Sequence, residues 1–181
     1  MTAWEVTGKR LAIGYTDVMV NQVHRILEQW QVEKPDLDVS PMAVIGRLSR
    51  CAIAVESRLA GSFARHDLDS STFDVLATLL RSGPPYRVTP ATLARDAMIT
   101  TSAVAQRINK MERRGLVARS ANPEDGRSTL VALTDTGRDL IERALPDHLT
   151  TEFQITAMLS HGEQEILAEL LQRITDAAQA D

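Results

Sequence analysis

Polar and cationic side chains recur every three or four residues between Ser102 and Arg113, a spacing that places them on one face of a helix. That face carries Ser102, Gln106, Asn109 and Arg113, with Ala103 and Lys110 beside it. The opposite face carries Val104, Ile108 and Met111, and we expect it to be buried. Glutamine can pair with adenine, and lysine or arginine can reach guanine or phosphate. These residue types at this spacing therefore predict a helix that binds DNA.

A turn of sequence NPEDGR, residues 122–127, joins two β-prone stretches that follow this helix. A helix followed by a basic hairpin is how a winged helix contacts two adjacent grooves of DNA. Because Asp125 and Arg127 are two residues apart across Gly126, we expect Asp125 to hold Arg127 extended into the minor groove. The alternative is a surface loop with an incidental ion pair. The predicted DNA contacts are Thr101, Ser102, Ala103, Gln106, Lys110, Arg113, Asp125, Arg127 and Ser128.

The distribution of charge supports a polyanion as partner of this region. The chain has a net charge of −4, but residues 98–131 hold six cations and three carboxylates, a net +3 against −7 elsewhere. A basic segment in an acidic chain is the electrostatic footprint expected for nucleic-acid binding. The sum over the chain therefore does not exclude DNA as a partner.

The rest of the chain must position this helix, and its apolar spacing predicts further helices. We expect them at about residues 19–30, 41–63 and 71–81, and Thr89-Pro90 opens a short one that completes a helix-turn-helix. After the hairpin, Thr134 caps a long helix, and a capping box at Ser160 opens the last one. Asp67 and Asp69 fall in a helix-capping loop and are assigned a structural role. The pattern predicts a mainly α fold with a small, two-stranded β-hairpin wing.

Several classes of protein are disfavoured. No apolar run approaches the roughly 20 residues that span a bilayer, and no signal peptide precedes a cleavage site, so we expect a cytoplasmic protein without a membrane partner. A single cysteine, Cys51, excludes an intrachain disulfide. The four histidines lack close metal-ligand spacing, although histidines of different helices could still meet at a metal. Without a glycine-rich phosphate loop, a nucleophile elbow or a His-Glu-x-x-His motif, we expect neither an enzyme nor a cofactor.

The helix-turn-helix, the Asp125-Gly126-Arg127 wing and the segment LTDTG at residues 133–137 resemble the MarR family of winged-helix regulators over about residues 41–178. The resemblance implies a homodimer whose first and last helices interlock, each protomer presenting one winged helix to a pseudopalindrome. Unpartnered apolar stripes on residues 44–63 and 160–178 agree with this. The implied organisation is a tail (1–16), N-terminal helices including a dimerisation helix (17–63), the winged helix-turn-helix (64–134) and C-terminal dimerisation helices (135–181).

Within that family the chain is most similar to the urate-responsive branch, of the PecS and HucR type. That branch has a tryptophan on an extra N-terminal helix, an aspartate after an aromatic residue, and arginines in the recognition helix and at the start of the wing. The matching residues are Trp30, Asp74, Arg107 and Arg119. The resemblance implies that they bind urate or a related small aromatic anion, since an indole offers a stacking surface and guanidiniums can fork onto oxygens. We expect Asp74 to hold both arginines when the site is empty.

The expected function is that of a repressor that releases operator DNA when such an anion binds. The main alternative is a redox-sensing repressor of the same fold that uses Cys51, although the chain has no second cysteine to resolve it and its neighbours Ala52 and Ile53 are apolar. A protein-interaction module that has lost DNA binding is a further alternative. The ligand residues also have ordinary structural alternatives: Trp30 in a core, Asp74 in a local cap or pair, and Arg119 on a phosphate.

Overall fold

The computed structural model describes residues 17–97, 101–123, 125 and 128–180, except for the side chains of residues 17–21 and 101–103. Its helices are α1 (Asp17–Glu33), α2 (Ser40–Ala64), α3 (Ser70–Arg81), α4 (Pro90–Asp96), α5 (Thr101–Arg113), α6 (Asp135–Thr156) and α7 (His161–Gln179). Its strands are β1 (Arg87–Val88), β2 (Val117–Ala121) and β3 (Thr129–Leu133). The mainly α fold with a small wing that the sequence predicts is confirmed.

Two compact units divide the chain, residues 1–54 and 55–181. In the first, α1 packs on α2 through Val23, which is buried. A Cβ on Gly46 would lie 3.4 Å from a methyl carbon of Val23, so the glycine allows the two helices to approach closely. Trp30 and Cys51 also belong to this unit, and both are exposed, although Ala52 and Ile53, which follow Cys51 in the sequence, are apolar.

The second unit has one hydrophobic core, which brings α3, α4, α5 and α6 against the sheet. Helix α3 supplies much of it, because Val75, Leu76 and Leu79 are fully buried at the spacing of one helix face. Leu93 of α4 and Ile141 of α6 are also fully buried. This packing gives α5 a rigid support on one side.

Local signals in the sequence set where the helices begin. The Thr89 side chain accepts from the Thr92 amide at the start of α4, with Pro90 in the first turn. Ser160 and Glu163 form the predicted capping box of α7. The helix starts predicted at these positions are confirmed.

The sheet has three strands where the sequence predicted two. Its order is β1-β3-β2, and both pairings are antiparallel. In the wing, Val117 pairs with Leu133 and Arg119 with Val131. The third strand, β1, has only two residues, too few to show the alternation that marks a strand.

Candidate nucleic-acid interface

Helix α5 buries one face and exposes another. Val104, Ile108 and Met111 are at most 2% exposed, which confirms the predicted core side of this helix. Gln106 and Arg113 are exposed, and within the described part of the chain their side chains have no hydrogen-bond or ion-pair partner. The amide and guanidinium groups of this face are therefore available to a ligand outside the protein.

The C-terminal end of α5 is fixed by close backbone contacts to the start of α6. Gly115 has a φ of +67°, a left-handed conformation that glycine adopts readily, and turns the chain toward β2. Thr134 Oγ1 donates to the Gly115 carbonyl (2.6 Å) and accepts from the Gly137 amide (3.0 Å). A Cβ on Gly137 would lie 1.9 Å from the Leu116 carbonyl oxygen. The LTDTG segment therefore has a structural reason for Thr134 and for Gly137.

The tip of the wing is described only in part. Asn122 Nδ2 donates to Ser128 Oγ (2.8 Å), and Ser128 Oγ lies 3.1 Å from the Asp125 carbonyl oxygen, to which it donates. Outside the described residues lie Glu124, Gly126 and Arg127, and the side chains of residues 101–103. The DNA contacts predicted for Thr101, Ser102, Ala103 and Arg127, and the Asp125–Arg127 pair, therefore stay predictions.

The carboxylate of Asp69 joins α3 to α5. Its Oδ1 accepts from the backbone amide (2.7 Å) and the hydroxyl (2.8 Å) of Thr72 and so caps α3, as the sequence predicts. Its Oδ2 accepts from Arg107 Nη1 and from Lys110 Nζ, each at 3.1 Å. Partial burial raises the pKa of Asp69, but the hydrogen bonds from Thr72 and Lys110 and the charge of Arg107 outweigh it and lower the pKa to about 2. The carboxylate is therefore ionised at neutral pH.

Asp67 binds the next cation along the chain, Arg114, which directly follows the last residue of α5. Arg114 Nη2 donates to both the carboxylate and the backbone carbonyl of Asp67, each at 2.8 Å. This cluster borders an open pocket of about 410 Å³, lined by Ala64, Asp67, Leu68, Asp69, Lys110 and Arg114. The two aspartates were assigned only a structural role from the sequence, and their contacts with α5 were missed. A signal was present: Arg107, Lys110 and Arg114 follow the i, i+3, i+7 spacing of one helix face.

Arg119, at the start of the wing, binds back to α5. Its guanidinium donates to Glu112 Oε2 and to Asn109 Oδ1, each at 2.7 Å. In the structure, Arg107 binds the carboxylate of Asp69 and Arg119 binds that of Glu112. The sequence predicts that Asp74 holds both arginines, and this contact stays a prediction.

The four residues predicted to bind a ligand fall in both units of the chain. Trp30 is 39% exposed in the last turn of α1 and belongs to the first unit. Asp74 on α3, Arg107 on α5 and Arg119 on β2 belong to the second unit, where Asp74 is half-buried. Their joint site stays a prediction. Among the described residues, no cluster of His, Cys, Asp or Glu side chains could hold a metal ion, and no helix is long and apolar enough to cross a membrane.

Comparisons with known proteins agree with this architecture. A model of the MarR family matches residues 66–128. The HTH-type transcriptional regulator PecS of Dickeya dadantii is 38% identical over 153 residues, which cover 84% of this chain and 92% of PecS. The Streptomyces coelicolor MarR family regulator Sco3205, solved in complex with DNA, has a TM-score of 0.72 at 24% identity, over 80% of this chain and 95% of that one.

A second solved relative is Bordetella bronchiseptica BpsR, whose DNA binding is regulated by 6-hydroxynicotinic acid. It has a TM-score of 0.67 at 25% identity, over 76% of this chain and 94% of that one. The curated relatives are transcription regulators rather than enzymes. The extent of the similarity to PecS establishes the family: the chain belongs to the MarR family of winged-helix, DNA-binding transcription regulators.

Proposed function

We propose that this regulator is a repressor that binds a pseudopalindromic operator as a homodimer and releases it when urate or a related small aromatic anion binds. The observation that carries the proposal is the exposed face of α5, where Gln106 and Arg113 have no partner among the described residues. Helix α5 packs beside β2, so the wing continues the same surface. Gln106, Lys110 and Arg113 enter the major groove in this proposal, and Arg127 enters the minor groove.

The DNA contact is tested with an operator selected by the wild-type protein from random duplexes, with affinity measured by fluorescence anisotropy at several salt concentrations. Arg113→Ala is expected to weaken binding by about 1–3 kcal/mol, the range for loss of a base contact. Arg143→Ala, which removes an exposed arginine of α6, is the matched control and should bind as wild type does. Equal affinities of the two variants would place the DNA contact elsewhere.

The homodimer is supported by the apolar side chains that α7 exposes. Ile166, Leu167, Leu170 and Leu171 are 38–61% exposed at the spacing of one helix face. Monomeric proteins rarely expose a contiguous apolar stripe of this kind. Light scattering coupled to size exclusion should give a dimer for wild type and a monomer for Leu170→Glu. Ala168→Glu adds the same charge on the opposite side of α7 and should remain dimeric, and a monomeric wild type would refute this part of the proposal.

The ligand class is supported by the chemistry of the predicted site. Arg107 and Arg119 offer two guanidiniums on side chains that are each 32% exposed, and the exposed indole of Trp30 can stack on a flat ring. BpsR, a relative of the same fold, responds to 6-hydroxynicotinic acid, which is also a small aromatic acid. Asp74 completes the site that the resemblance to the urate-responsive branch implies.

Urate binding is tested by thermal shift and by release of labelled operator. Saturation at about 100 times Kd stabilises a protein by about 2.7 kcal/mol, so a rise in Tm should be readily measured for wild type. Trp30→Ala should lose that rise. Val32→Ala, which shortens a side chain of α1 that is 83% exposed, should keep it. If urate changes neither Tm nor operator binding of wild type, the ligand is wrong while the DNA-binding function stands.

A further inference from the structure

One carboxylate in this protein connects two helices through three residues. Asp69 Oδ1 caps α3 through Thr72, while Asp69 Oδ2 binds both Arg107 and Lys110 of α5. These two cations are three residues apart and share a single oxygen atom. Their roles differ in the proposed function, since Arg107 belongs to the effector site and Lys110 to the DNA contact. Asp69 is therefore the point where the two sites meet.

The three ionic groups have unequal access to solvent. The side chain of Lys110 is 51% exposed, that of Asp69 41% and that of Arg107 32%. Lys110 can therefore exchange Asp69 for an outside phosphate at little cost, because an exposed ion pair contributes little to stability. Arg107 is more enclosed, and an anion that reaches it competes directly with Asp69.

We propose that Asp69 is the positioning residue that couples effector binding to DNA release. The inference rests on the proposed function above. An organic anion that binds Arg107 takes it from Asp69, and the carboxylate is then left with Lys110 as its remaining cation on α5. Lys110 is held more strongly to Asp69 and is withdrawn from the DNA phosphate. Effector and DNA thus compete through one shared oxygen, which gives negative coupling between the two sites.

Asp69→Asn separates this role from the structural one. Asparagine caps helices as well as aspartate does, so α3 keeps its cap, but the charge that holds Arg107 and Lys110 is lost. The variant should bind operator about 2–5-fold more tightly, the range that a competing surface ion pair allows. It should also respond weakly to effector, so that the ratio of operator Kd with and without urate falls toward one. A residue with only a structural role would lower the affinity for both partners.

The control is Asp67→Asn, which removes the neighbouring carboxylate but leaves Arg107 and Lys110 paired. It should keep the wild-type ratio, for which coupling in regulators is typically about 5–150-fold. A ratio reduced equally in both variants would overturn the proposal. If Asp69→Asn does not fold, Asp69→Ser keeps a capping hydroxyl without the charge and takes its place.

A double-mutant cycle measured without effector tests the proposal even if urate does not bind this protein. Operator Kd is measured for wild type, Asp69→Asn, Lys110→Gln and the double variant. The tighter binding caused by Asp69→Asn should disappear in the Lys110→Gln background, because no ammonium is left to release. The same gain in both backgrounds means that Asp69 acts only as a general negative charge, which overturns the proposal. Failure of urate on wild type, in contrast, refutes only the ligand, and 6-hydroxynicotinate is then the second probe.

Discussion

Helix α5 is held at its C-terminal end and along its flank by two different kinds of contact. At the C-terminal end, Gly137 lies so close to the Leu116 carbonyl that no side chain fits, and Thr134 bridges the turn by hydrogen bonds. Along the flank, Arg107 and Lys110 of α5, and Arg114 directly after it, bind the two aspartates of the loop between α2 and α3. The first contact is steric and short-ranged, whereas the second is electrostatic and accessible to solvent.

The difference indicates which part of the helix can respond to a ligand. A close backbone contact has one geometry, and neither salt nor an anion can replace it. Ion pairs at an exposed flank exchange partners, since phosphate, a bound anion or water can take the place of a carboxylate. The C-terminal end of α5 is therefore expected to act as a fixed pivot. The flank is the side where effector and DNA can alter its position.

The largest effect is expected where the steric contact is broken. Gly137→Ala forces a methyl group onto a backbone oxygen that cannot move without shifting the turn after α5. Overpacking of this kind costs about 1–3 kcal/mol or more, which lowers Tm by about 2–4 °C per kcal/mol in a protein of this size. Differential scanning calorimetry measures the loss.

Gly61→Ala is the matched control for this substitution. Gly61 lies inside α2, and a Cβ there meets no atom within 4 Å. Alanine is the better helix former, so this variant should be as stable as wild type or more stable by up to about 1 kcal/mol. Equal losses in the two variants would mean that Gly137 has no special steric role.

A smaller loss of stability is expected when the Thr134 hydroxyl, which bridges the turn after α5 and the start of α6, is removed. Thr134→Val keeps the shape of the side chain but removes the hydrogen bonds to Gly115 and Gly137. Loss of a helix cap costs about 0.5–2 kcal/mol. Thr134→Ser keeps the hydroxyl and should recover most of the stability in urea denaturation. If Thr134→Ser does not recover the stability, the methyl group of Thr134 rather than its hydrogen bonds stabilises this turn.

The sequence predicted the steric side of this comparison better than the electrostatic side. The burial of Val104, Ile108 and Met111 follows from helical spacing, and the caps at Thr134 and Ser160 follow from local residue types. The pairing of Asp69 with Arg107 and Lys110 spans 38 and 41 residues. Periodicity tells which cations share a face but not which loop packs against that face, so the pairs of Arg107 with Asp69 and of Arg119 with Glu112 were not predicted.

The stability that the flank contacts contribute should depend on pH, in the direction set by the lowered pKa of Asp69. Its pKa is about 2 in the folded protein against an ordinary value of 3.8, so its ionised form stabilises the fold. That stabilisation is complete above about pH 4 and is lost as pH falls toward 2. Urea denaturation of wild type and Asp69→Asn should therefore give a difference in unfolding free energy that is constant at higher pH and narrows below pH 4. Parallel curves down to pH 2 would argue against an ionised, paired Asp69.

The smallest effect is expected at Asp67, and salt distinguishes it from the steric contact. The Asp67 side chain is 96% exposed, and its backbone carbonyl continues to accept from Arg114 after Asp67→Asn. Asparagine also tolerates the positive φ of +53° at this position. The small decrease in Tm should disappear in 1 M NaCl, where the Debye length is about 3 Å, because the lost ion pair is already screened in wild type. The decrease caused by Gly137→Ala should persist in the same salt, since a steric collision is not screened. A salt-resistant loss at Asp67 would mean that the flank, too, is held by close packing, and the contrast between pivot and flank would no longer stand.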